Sequence, residues 1–188
     1  VDVRAVVSAS ASAGLLDDVD DILGCALATE AMTTESAAAG MAYALHATVT
    51  QTLRARSDGI GLRDGSLVGG LVLSSETLPV VEGGRLTGRA HWVGPLSDSG
   101  VVLVGALSGT DARALAVLPG ATGVVRSSLE TSALPGLRWA DLAFDAAPAI
   151  DLGPPDTTMA LSRVLIAAVA VGIGARALRE SLAIVQRA

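Results

Sequence analysis

Few residues in this chain can carry chemistry, and their spacing decides which kind. Cys25 stands alone, so neither an internal disulfide nor a multi-cysteine metal site can be built from it. Asp17, Asp18, Asp20 and Asp21 crowd what reads as the first turn of a helix, where the helix dipole favours negative charge. The same run, DDVDD, lacks the glycine and the spread ligands of a calcium loop. His46 falls among small residues at helical spacing and reads as a packing or capping group. His91 precedes Trp92 in a stretch that alternates like a strand, and strict alternation turns it outward. Of the other carboxylates, Glu76 and Glu82 sit near a turn, and Glu180 lies on a polar helical face as a solvated charge.

Composition narrows the field further. Net charge is -6 and aromatic residues make up 2%, with no basic stripe, so neither half of a nucleic-acid surface is present. Hydrophobic residues reach 51%, but the surplus is Ala and Val, which suits close helix packing. The most apolar run, 164–175, is bounded by Arg163 and Arg176 and falls short of the roughly 20 residues that cross a bilayer, so no membrane span is expected. Acidic residues stand near the N-terminus where a signal peptide needs basic ones, and a cytoplasmic location is expected.

The elements that must position these groups follow from periodicity. Residues 1–14, serine-rich and without a clear period, read as a loosely held and partly disordered lead-in. Residues 31–53 form an Ala-rich helical stretch with Met41, Leu45, Thr48, Val49 and Thr52 on one stripe. Residues 54–64 are polar and glycine-containing, a connecting loop and domain boundary. Six strands are then expected, at 67–73, 85–93, 101–107, 114–118, 122–128 and 137–144, in a sandwich or a small open barrel. At their centre Gly83-Gly84 turns into a first strand, Gly94-Pro95 breaks it, and 101–107 resumes as its hairpin partner. Beyond Pro154-Pro155, with Asp156 as N-cap, one long helix runs to Arg187 and buries Leu161, Val164, Leu165, Ala168, Val171, Ala175, Leu178, Leu182 and Val185. Gly172 and Gly174 inside it suggest close approach of another helix.

Three segments, GGRLTGRAHWV from Gly83, LPGLRWADLAFDAAP from Leu134 and ALSRVLIAAVAVGIGARALRESLAIVQR from Ala160, together resemble the acyl-CoA dehydrogenases in order and spacing. The resemblance implies an α+β fold with N-terminal helices (1–56), a central antiparallel β-sandwich or open barrel (65–153) and the first helix of a C-terminal bundle (156–188). It also implies FAD as cofactor, an acyl-CoA thioester as substrate and a homo- or hetero-oligomer. Trp92 matches the family's flavin-stacking Trp, followed by Val93, and Gly94 stands where a Thr often bonds the flavin. Leu73 and Ser74 end the strand that faces the ring, without the family's Gly-Ser-Asp turn, and Arg187 matches an Arg that meets flavin phosphate across a dimer interface. The proton-abstracting Glu has no counterpart: Ser162 precedes Arg163 where some members carry it, and others carry it in helices beyond the first of the bundle. The resemblance therefore implies a subunit whose base and part of whose flavin site come from a partner chain. Alternatives are a subunit that kept the fold and lost the chemistry, or a fragment of a longer dehydrogenase. Arg85, Arg89 and Arg138 are candidates to meet an acyl-CoA phosphate, with surface salt bridges an equal reading, and His91, beside Trp92, is the polar group to watch near a flavin, with an outward strand position as its alternative.

Overall fold

The computed structural model describes residues 2–54, 60–73, 77–98, 100–131, 134 and 136–186. Four helices make one layer and a curled sheet makes the other. Helix α1 (Val3–Ser12) forms where a loose lead-in was expected. Asp2 caps it by accepting from the Arg4 N–H, and Val3, Val7 and Ser10 recur on one face to reach the core, which supplies the order that serine composition hid. Asp21 caps α2 (Ile22–Glu35) by accepting from the Gly24 N–H at 3.0 Å. The acidic run is therefore a turn and a cap. The helical stretch 31–53 is two helices, because Ser36 is extended and caps α3 (Ala37–Leu53) through the Ala39 N–H. A short helix, α4 (Ile60–Arg63), leads into the sheet.

Eight strands follow among the described residues: β1 (Val68–Val72), β2 (Val80–Glu82), β3 (Arg85–Val93), β4 (Gly100–Ser108), β5 (Asp111–Val117), β6 (Val124–Leu129), β7 (Trp139–Pro148) and β8 (Ile150–Asp151). They make one sheet in the order β6-β7-β3-β2-β4-β5-β8, with β1 beside β4. Most neighbours are antiparallel, while β1 and β2 each run parallel to β4. The Gly83-Gly84 turn is a hairpin, but it joins β2 to β3. The expected pairing of β3 with β4 does not form. Strand β3 pairs instead with β7, since the three-residue β2, too short to stand out in the sequence, takes the place between β3 and β4. Strand β4 is buried on both sides, Val102 and Val104 facing one core and Val101 and Leu103 the other.

The long helix is α5 (Asp156–Val185). Pro155 occupies the N-cap position with no side-chain bond, so Asp156 lies inside the first turn and acts on the dipole there. Its burial departs from the expected stripe. Leu161, Leu165, Ala168, Val169 and Gly172 are buried, whereas Val164, Val171, Ala175, Leu178, Leu182 and Val185 are exposed. A full-length stripe needs a second layer of helices, and among the described residues α5 packs chiefly on α2 and α3. Gly172 does permit a close approach: a Cβ there would lie 2.6 Å from the Thr33 Cβ and 2.7 Å from the Glu30 carbonyl oxygen. Thr33 is also pressed by Gly40 of α3, so one α2 side chain is seated between two glycines. By length and hydropathy alone α5 could cross a membrane, but its first half is packed inside this helical layer.

Candidate functional site

A cleft of about 710 Å³ opens where the two layers meet. That volume suits a small molecule or a cofactor ring, for which sites of about 300–1,000 Å³ are usual. Each wall has a local cause. Helix α3 contributes Met41 and Leu45, the cleft-facing edge of its apolar stripe. Strand β1 contributes Leu71, Val72 and then Leu73, whose carbonyl runs so close over β4 that a Cβ at Gly105 would meet it. Thr77 stands nearby, and α5 supplies Met159, Ser162, Arg163 and Ile166.

The remaining wall depends on a bulge. Between Ala90↔Leu142 and Val93↔Ala140, β3 has one residue more than β7. Trp92 takes up the extra residue with φ +58°, a left-handed conformation unusual for a bulky side chain. Alternation is thereby broken, and His91 and Trp92 both line the cleft. Asp141 of β7 holds the bulge in two ways: one oxygen accepts from the Trp92 N–H at 3.2 Å and the other lies 3.0 Å from His91 Nδ1. The bond from His91, joined by that from Trp92, holds the Asp141 carboxyl below its ordinary range. Trp92 is 59% exposed, an open aromatic face at the mouth.

Trp139 adds a second aromatic surface to the cleft and was not singled out by sequence reading. Gly94 explains its place. A Cβ at Gly94 would overlap the Trp139 ring, so the space in which a larger side chain at 94 would lie is filled by indole. Only the pairing of β3 with β7 brings the two together, and a single sequence does not display that pairing.

The other expected site residues fall into three groups. Leu73, Trp92 and His91 meet in the cleft, as do Ser162 and Arg163. Val93 turns its side chain into the sheet core, fully buried, and Gly94 reaches the cleft only through Trp139. Ser74 and Arg187, together with Glu76, lie outside the described residues. Arg85 bonds the Ala146 carbonyl, Arg138 lines a separate hollow with Asp2 and Arg4, and Arg89 lies near Asp141, so Arg85 and Arg138 at least do not converge with one another. Arg163 makes no hydrogen bond or ion pair among the described residues. Ser162 donates to the Met159 carbonyl at 2.9 Å, within its own helix. Among the described residues no carboxylate lines the cleft.

His46 and Cys25 belong to the scaffold. His46 is buried between α3, α4 and β1, its Nδ1 accepting from the Gly69 N–H and its Nε2 donating to the Leu62 carbonyl, both at 2.9 Å. Burial pushes it down to about 4, against the pull of the Leu62 bond. The Cys25 thiol is pushed up, mainly by burial, which suits packing and disfavours a nucleophile. No group of three or more metal-ligating side chains occurs among the described residues.

No protein-family model matches the sequence, and no curated protein does. Solved structures do match. A variant of a steroid acyl-CoA dehydrogenase, Tcur3481-Tcur3483, is 20% identical with a TM-score of 0.78 over 94% of this chain and 55% of its own. Glutaryl-CoA dehydrogenase from Mycobacterium smegmatis is 14% identical, TM-score 0.75, over 92% and 54%. PigA with FAD and proline is 17% identical, TM-score 0.70, over 86% and 52%. This chain spans about half the length of each. Helices, a curled mixed sheet and a final long helix in this order are the acyl-CoA dehydrogenase fold, and this chain has that fold.

Proposed function

We propose that the cleft holds the flavin ring of FAD beside an acyl-CoA thioester, in a subunit that dehydrogenates the acyl chain together with a second chain. The observation that carries this reading is the pair of tryptophans, Trp92 open at the mouth and Trp139 within, in a cleft otherwise lined mainly by aliphatic side chains, with Thr77, His91, Ser162 and Arg163 as its polar groups. Flat aromatic walls in a pre-formed, largely apolar site fit a planar ring system. When bound, the flavin would accept hydride from the carbon one removed from the thioester α-carbon.

This chain's own residues bind and shield. Met41, Leu45, Met159 and Ile166 exclude water from the reacting carbons. Arg163, without a partner among the described residues, offers a cation at the cleft to an anionic part of the ligand. Proton abstraction is not assigned here, because Ser162 spends its hydroxyl proton on its own helix and no described carboxylate faces the cleft. The base is proposed to come from the second chain, as is the surface that covers the exposed half of α5. Ser74 and Arg187 stay in the proposal as flavin contacts on the strength of the sequence resemblance.

The test is an absorbance spectrum of purified protein with its mass in solution. Flavin bands and a mass above one chain support the shared-site reading. A second reading, a subunit that keeps the fold without the chemistry, is favoured by Ser162 and by Trp139 filling the space beside Gly94. Colourless protein that cannot be loaded with FAD selects it.

A further inference from the structure

We propose that the exposed face of α5 is a seam on which a second copy of this chain docks, its own α5 lying antiparallel to the first. The inference concerns the helical layer alone and stands apart from the flavin reading.

The seam is written in the spacing. Val164, Ala168, Val171, Ala175, Leu178 and Leu182 follow one another at alternating steps of four and three, the repeat that lays one helix along another. They extend over roughly 27 Å of helix, and all but Ala168 are exposed. No charge interrupts them. Arg176 and Arg179 turn toward α2, and Glu180 bonds Arg176. The opposite flank of the seam holds Ala167, Gly174 and Ser181, seven apart and exposed. A glycine inside a helix costs helix propensity and repays it where a neighbour comes close. Thr33 and Glu30 of α2 account for Gly172, but among the described residues nothing lies within 4 Å of where a Gly174 Cβ would stand. A second helix brought against α5 at that point supplies the missing neighbour.

Self-complementarity identifies the occupant as a second copy. Bulk is uneven along the seam, with both leucines in its outer half. In antiparallel order Leu182 meets Val164, Leu178 meets Ala168 and Ala175 meets Val171, so the larger residue faces the smaller at each step. Parallel order would stack leucine on leucine and alanine on alanine. The small flank has the same symmetry: Gly174 meets Gly174, and Ala167 meets Ser181. Seam and flank therefore share one two-fold axis beside Gly174, the arrangement of an isologous interface. A stripe shaped for an unlike helix has no reason to be complementary to itself. The pairing also lays the unsupported outer half of each α5 along the anchored half of the other.

The experiment is sedimentation equilibrium of wild type and Gly174→Leu from about 1 to 100 µM, with oxidative cross-linking of Gly174→Cys and Leu182→Cys. The expected wild type is a dimer at the upper concentrations. Gly174→Leu has open space for its side chain within its own chain, so its circular dichroism should match wild type. Its dimer should nonetheless dissociate at about 10- to 100-fold higher concentration, because the added bulk holds the two backbones apart. A merely adhesive apolar face would respond in the opposite direction. Gly174→Cys should cross-link beside the axis, whereas Leu182→Cys should not, since its two copies lie about 25 Å apart in antiparallel order. A wild type that stays a single chain at every concentration overturns the proposal and leaves the face to an unlike partner. Unchanged or tighter association in Gly174→Leu, or a cross-link through Leu182→Cys, overturns it as well. Flavin content of the same samples bears on the flavin reading alone.

Discussion

The two histidines occupy opposite kinds of surroundings, and the contrast separates what holds this chain together from what it presents to a ligand. His46 sits in the seam between helices and sheet with both ring nitrogens committed to backbone groups, one accepting and one donating, so a single tautomer is built in. His91 stands at the cleft with one nitrogen tied to Asp141 and the other without a partner among the described residues. A residue whose valences are all spent inside the fold reports on stability. One with a free valence on a cavity reports on binding. The same side chain is thus structural or functional according to how many of its hydrogen bonds the protein has already satisfied.

Variants that exchange these characters test the distinction. His46→Leu strands the Gly69 N–H and the Leu62 carbonyl in the interior and should lower unfolding free energy by about 3–5 kcal/mol, read by urea denaturation. Acid should reveal the same residue without mutation. Because the folded value lies near 4 and the ordinary one at 6.5, the unfolded chain binds the proton first. The stability tied to neutral His46 is therefore complete above pH 6.5 and is lost as pH falls from there toward 4, by about 3 kcal/mol in all. Denaturation midpoints measured across that window should fall, and His46→Gln should flatten the profile.

Smaller effects are expected at the cleft. Gly94→Thr forces the Trp139 indole aside and should cost about 1–3 kcal/mol, most of it recovered in the double variant with Trp139→Ala. Trp92→Ala should weaken FAD binding by roughly tenfold, about 1.4 kcal/mol, while changing stability by less than that. Smallest of all, His91→Gln should leave the unfolding midpoint within about 0.5 kcal/mol of wild type, since the ring is half-exposed and its contact lies at the surface. A large loss of stability in that last variant would erase the contrast between the two histidines.

Much of the scaffold was legible in the sequence because its signals are local. The alternation of β3, the apolar run of β4 and the glycines at 83 and 84 each specify structure within a few residues. The order of the elements, matched to a family, carried the fold. The site was legible only in pieces. Trp92 and His91 were expected on opposite faces, and only the bulge, set by a β3–β7 register, puts them on one. Trp139 was passed over because its relation to Gly94 spans two strands far apart in sequence. Strand β2 was missed for lack of length, and with it the true partner of β3. Helix α5 was read as a helix correctly and as buried throughout incorrectly, because periodicity marks an apolar face but not what covers it.

That helix also behaves as a cantilever. Its root is clamped where Gly172 lies against Thr33, and the remaining span to Val185 projects about 20 Å with no buried residue. Two guy-lines steady it: Arg176 bonds the Glu35 carbonyl, and Arg179 bonds the Thr34 carbonyl and the Glu35 carboxylate, placing cations at the negative end of α2. Both lines are exposed and electrostatic. Raising ionic strength slackens them without touching the root, so amide exchange within this one helix should divide into two regimes, slow before Gly172 and salt-accelerated beyond it.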